Sequence, residues 1–138
     1  MKTYFAHEHL EACRQSLSFV VWTDTIWNKL PRGASVTNQL DRARTSIPLN
    51  IAEGNGKATV VDKCKFFDIS HGSALECAAC LDLLFISKSI SEAELEEGKI
   101  LLCKIVGLLI GLIKSKMPDH WLVKEVEVEY RAGHEALE

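Results

Sequence analysis

The feature that most narrows what this chain can fold into is the stretch Ile100 to Ile113, fourteen residues of which only Lys104 is charged. A helix needs roughly 20 apolar residues to cross a bilayer, so this run is too short and too charged to span one. It reads instead as the centre of a buried helix. Ser91 followed three residues later by Glu94 has the form of a capping box, and Pro118 cannot continue a helix. Those signals bound a helix from Ser91 to about Met117. Its apolar residues, Leu95, Ile100 to Leu102, Ile105, Val106, Leu108 to Ile110, Leu112 and Ile113, cover more than one face. A helix on the outside of an isolated bundle shows a single apolar stripe. The surplus predicts an interface between subunits.

Three further helices precede it. From about His7 to Lys29 the apolar residues Leu10, Cys13, Leu17, Val20 or Val21, and Ile26 or Trp27 recur near helical spacing, and Pro31 with Gly33 ends the pattern. The second helix is expected to start with Ser35 as its cap, to carry Val36, Leu40, Ala43, Ile47 and Ile51 on one stripe, and to end at Gly54 in a left-handed conformation. Pro48 lies inside it, and because the stripe continues beyond, a kink rather than a break is expected. Gly54-Asn-Gly-Lys57 forms the next turn. Thr59 and Asp62 then open a third helix that reaches about Ser87. Short turns between long helices predict an all-α, antiparallel, up-down-up-down four-helix bundle over residues 1–118. Residues 119–138, in which Val126-Glu-Val-Glu-Tyr130 alternates with no strand to pair with, are expected to be an extended or disordered tail.

Charge is unevenly spread. The net charge of -3 divides into +1 over residues 1–118 and -4 over residues 119–138. Within residues 29–65 seven bases stand against three acids, so a phosphate-facing surface belongs there and not on the chain as a whole. Arg32, Arg44, Lys57, Lys63 and Lys65 are the candidate nucleic-acid contacts, although Lys63 and Lys65 also suit an ordinary solvated helix start. The five cysteines are odd in number and sit in apolar patterns, which fits reduced core thiols. With no apolar run of signal-peptide length at the start, a cytoplasmic protein without membrane contact is expected.

Polar side chains recur on the second helix. Gln39, Arg42, Ser46, Asn50 and Glu53 are spaced to share one stripe beside the apolar one. The reading favoured here is structural, a network tying this stripe to Ser73 and Glu76 on the third helix, with Arg42 and Glu76 paired across it. A ligand surface is the alternative. Catalysis by Glu53 and Glu76 is the weakest option, because no nucleophile, metal ligand set or phosphate loop accompanies them. Cys77-Ala-Ala-Cys80 has redox spacing but lies in mid-helix, and the histidines are dispersed, so no metal and no cofactor is expected. Trp22, Trp27 and Trp121 read as packing residues rather than platforms for bases.

Asn38-Gln-Leu-Asp-Arg-Ala-Arg-Thr-Ser-Ile-Pro-Leu-Asn-Ile-Ala-Glu-Gly54, then Gly56-Lys57 and Phe66-Phe-Asp-Ile-Ser-His-Gly-Ser-Ala-Leu-Glu76, closely resembles the signature of the four-helix-bundle family of 23S ribosomal RNA intervening-sequence proteins. The resemblance covers all four helices and is strongest over residues 38–84. That family is similar in turn to the accessory variability determinant, Avd, of diversity-generating retroelements. The resemblance implies a homopentameric barrel without enzymatic activity that binds nucleic acid, RNA or DNA, and a partner such as a reverse transcriptase. It assigns Arg42, Ser46, Asn50, Glu53, Gly54, Gly72, Ser73 and Glu76 to bundle geometry and contacts between helices. The slightly acidic charge and the acidic tail depart from that pattern. A structural or protein-binding oligomer without nucleic-acid contact is the alternative.

Overall fold

In the computed structural model, which describes residues 1–119, four helices run α1 (Glu11–Ile26), α2 (Ser35–Asn55), α3 (Val60–Ile86) and α4 (Glu92–Lys116). Apart from Asp119, the expected tail lies outside the described residues. There is no strand among them. Substantial packing runs around a square, α1 on α2, α2 on α3, α3 on α4 and α4 back on α1, and it is closest between α2 and α3. Phe19, Leu40, Ile47, Ile51, Phe67, Leu81, Leu84, Ile105, Leu109 and Ile113 fill the centre. On α2 the apolar stripe read from the sequence makes the core, but on α1 it does so only in part: Leu17 and Val21 are exposed, and Phe19, with Ser16 and Thr23, faces inward instead.

The helix ends carry several corrections. The first expected helix is divided: Ala6–His9 forms a 3-10 turn, α1 begins at Glu11, and Trp27–Lys29 winds a second 3-10 turn. Ser35 is the first residue of α2 and not its cap; the capping position is Ala34, which offers no side-chain bond. The turn is fixed instead by Thr37, whose hydroxyl donates to the Pro31 carbonyl at 2.8 Å, and by Gly33 at φ +73°. Pro48 does sit within a continuous α2.

Gly54 is not a left-handed terminus. It lies buried inside α2, where an added Cβ would meet Phe66 Cβ at 2.8 Å and the Lys63 carbonyl at 3.1 Å. The glycine allows α2 and α3 to approach closely, and α2 ends at Asn55, followed by Gly56 as its cap in a right-handed conformation. The two expected N-terminal signals hold. Thr59 accepts from the Asp62 amide, and Ser91 and Glu94 form a full reciprocal box. Between α3 and α4 the chain turns at Lys88 with φ +62°, and the Ser89 amide reaches back to the Leu84 carbonyl.

The distribution of apolar surface also differs from expectation. By length and composition α3, not α4, is apolar enough to cross a membrane, yet 44% of that window is buried in the bundle. On α4 the extra apolar residues Leu101, Val106, Leu108, Ile110 and Leu112 are partly buried against the core. Most of the exposed apolar side chains on this half belong to α3: Val61, Ile69, Leu75, Leu83 and Ile86, with Ile100 on α4. Across the square, Leu17 and Val21 of α1 and Leu49 of α2 are exposed as well.

Candidate functional site: a polar groove, a guanidinium node and a lysine pole

Along the α2–α3 groove the middle of the expected network is present. Asn50 Nδ2 donates to Ser46 Oγ at 2.8 Å and to the Ser46 carbonyl at 2.9 Å, and Ser73 Oγ donates to Ser46 Oγ at 2.7 Å. One turn away, buried Ser70 donates to the Ile47 carbonyl at 2.9 Å. These bonds satisfy hydroxyls that the helix contact removes from water. The charged ends behave differently. Arg42 and Glu76 are both exposed, and among the described residues neither forms an ion pair with the other. Glu53 is exposed too and reaches only Lys57, at 3.9 Å and one turn along its own helix. Long charged side chains keep their solvation on an open groove, where an ion pair gains little.

Arg44 takes the structural place expected of Arg42. Its Nη1 donates to Asp24 Oδ1 and to Thr23 Oγ1, both at 2.8 Å, and its Nε and Nη2 donate to Asp41 Oδ1 at 3.0 and 2.8 Å. The guanidinium carbon lies 3.9 Å over the Trp27 ring. With 14% of its side chain exposed, Arg44 joins α1, the turn after it and α2 through one planar fork. Burial opposes its charge, but the bonds to Asp24 and Asp41 hold its pKa above the ordinary value. This expected phosphate contact is committed inside the bundle. Sequence alone could not separate Arg42 from Arg44, because the two flank the same core position, Ala43, and the partner, Asp24, is 20 residues away.

The remaining bases are divided between the two ends of the bundle. Arg32 is exposed in the α1–α2 turn, whereas Lys57, Lys63 and Lys65 follow α2, whose 21 residues span about 30 Å. At that second pole Lys63 Nζ donates to the Asn55 carbonyl at 2.7 Å and closes the end of α2. Lys57 lies 4.9 Å from the centre of the Phe66 ring, and Lys65 is exposed. The C-terminus of α4 arrives here as well: burial, and then Asp68, pushes the Cys64 thiol up, and the charge of Lys116 opposes them only in part. Lys114 and Lys116, which charge counting over residues 29–65 left out, therefore belong to this pole.

The thiols sort by burial. Cys13, Cys64, Cys77 and Cys80 are buried and only Cys103 is exposed. Desolvation pushes Cys77 and Cys80 up, away from the reactive thiolate, as expected of core thiols rather than a redox pair. Among the described residues no group of three or more His, Cys, Asp or Glu side chains is placed to hold a metal ion.

The fold of this helical square is shared with known proteins. The family model for 23S rRNA-intervening sequence proteins matches residues 8–111, and the chain belongs to that family. Among solved structures it is similar to a protein of unknown function from the S23 ribosomal protein family of Bacteroides thetaiotaomicron VPI-5482. The identity is 26%, the match covers 75% of this chain and 98% of the other, and the TM-score is 0.69. No curated protein matches the chain.

Proposed function

We propose that the protein is a non-catalytic homo-oligomeric adaptor, a ring of five bundles on the Avd pattern, that meets nucleic acid through its lysine pole and offers its remaining surface to a partner protein such as a reverse transcriptase. The observation that carries the nucleic-acid part is the convergence of Lys57, Lys65 and Lys116 at one pole from three separate helix ends. One subunit supplies few charges, but a ring repeats them, and counterion release makes such contacts additive. Support for assembly comes from the apolar side chains exposed on opposite edges of the square, Leu17, Val21 and Leu49 on one and Leu75, Leu83 and Ile100 on the other. Two different complementary faces are what a head-to-tail ring uses.

Fluorescence anisotropy with a short RNA at about 50 mM salt tests the nucleic-acid contact. Binding should fall steeply with salt and weaken in Lys65→Glu/Lys116→Glu, two exposed positions that support no described hydrogen bond. No binding by the intact protein would reject the contact. A protein-binding oligomer without nucleic acid is the second reading. It is favoured by the internal commitment of Arg44 and Lys63, which removes two of the five expected phosphate contacts.

A further inference from the structure

At the pole opposite the lysines, the α1–α2 turn closes around a notch of about 250 Å³ lined by Trp27, Asn28, Leu30, Arg32, Asn38 and Asp41. Leu30 is its buried floor. Two of its walls are held by a single cation: Arg44 lies over the Trp27 ring and binds Asp41 through Oδ1 alone. Asp41 Oδ2 has no partner among the described residues, and neither do the side-chain amides of Asn28 and Asn38 or the Arg32 guanidinium. The floor is apolar, Trp27 and Asp41 are held in place by Arg44, and Asn28, Arg32, Asn38 and Asp41 stand exposed around the mouth, an arrangement open to a small polar ligand.

We propose that this notch binds a guanine nucleotide, either free or as an unpaired base in a strand. Guanine presents N1–H and N2–H donors side by side, which suit a carboxylate oxygen and an amide oxygen, and its O6 accepts from an amide N–H. Adenine and cytosine each offer one exocyclic donor group beside a ring acceptor, which an unprotonated carboxylate repels. Arg32 supplies the charge for the phosphate. The proposal extends the nucleic-acid reading to a second, base-reading contact, about 30 Å from the lysine pole along α2.

Calorimetric titration of the intact protein with GMP, AMP, CMP and UMP tests it. GMP should bind at least about tenfold more tightly than CMP. Asn28→Ala/Asn38→Ala should erase that preference without lowering the melting temperature, and Arg32→Ala should weaken all four nucleotides alike. A guanine-containing single strand that binds more tightly than both GMP and its own duplex would identify a strand as the source; equal affinity for GMP would identify the free nucleotide. Equal binding of all four monophosphates, no binding at millimolar concentration, or a preference that survives the double substitution would overturn the proposal. The two readings fail separately. RNA binding without GMP binding would remove the notch alone, and GMP binding without RNA binding would remove the lysine-pole contact alone.

Discussion

Arg44→Ala should be one of the most damaging substitutions on the polar surface, whereas Arg42→Ala, two residues away, should be nearly silent. The difference follows from what each side chain touches. Removing Arg44 takes a charged donor from buried Thr23, worth about 1 kcal/mol, and the cation over Trp27, worth about another 1 kcal/mol. The pairs with Asp24 and Asp41 add less, because those carboxylates are 64% and 55% exposed and solvent screens them to about 0.5 kcal/mol or below each. The total is about 2–3 kcal/mol, or a melting temperature lower by about 10 °C for a domain of this size. Arg44→Lys keeps the charge but loses the planar fork and should recover less than half of the loss. Arg42→Ala should stay within about 0.5 kcal/mol. Circular-dichroism melts at one fixed chain concentration make the comparison, since the melting of an oligomer depends on concentration. Equal losses at Arg42 and Arg44, or no loss at Arg44, would refute this account of the α1–α2 junction.

Gly98→Ala places a Cβ 2.5 Å from Trp22 and 2.6 Å from Leu81, an overpacking of about 1–3 kcal/mol that exceeds the helical gain of about 1 kcal/mol; Gly56→Ala, with nothing closer than 3.5 Å, should be neutral or mildly stabilising in the same melts. In the native protein a thiol reagent should modify Cys103 alone, with the other four reacting only on unfolding; rapid modification of Cys77 or Cys80 would contradict their burial. Glu94 is held below the ordinary 4.5 first by its hydrogen bond from Lys29 and then by the Ser91 amide. Its stabilising contribution is therefore complete above that value and is lost as pH falls through the lower folded pKa, so Glu94→Gln should flatten the acid side of a stability profile; an unchanged profile would count against the pairing.

The four helices were legible from their apolar runs and the turns between them, and for α3 and α4 local end signals added exact starts, Thr59 with Asp62 and Ser91 with Glu94. Gly54 misled because a glycine at a helix end and a glycine at a helix crossing look alike in sequence; only the position of Phe66 in space separates them. The centre of the polar groove was legible for a similar reason, since Ser46 and Asn50 bond one turn apart on one helix. Its charged ends were not, because pairing Arg42 with Glu76 needs distances that helical spacing does not give. The surplus of apolar residues on α4 pointed to an interface, but small outward residues, Cys103, Gly107 and Gly111, leave α3 with more of the exposed apolar surface.

Assembly is the central requirement, because both the proposed ring and the multiplication of its lysine pole need several copies of the chain. Light scattering on a size-exclusion column at micromolar concentration measures it. Five chains of 15.4 kDa should elute as one species of about 77 kDa. A single species at 15.4 kDa would mean that the apolar edges of α1, α2 and α3 face water in solution, and it would contradict the account.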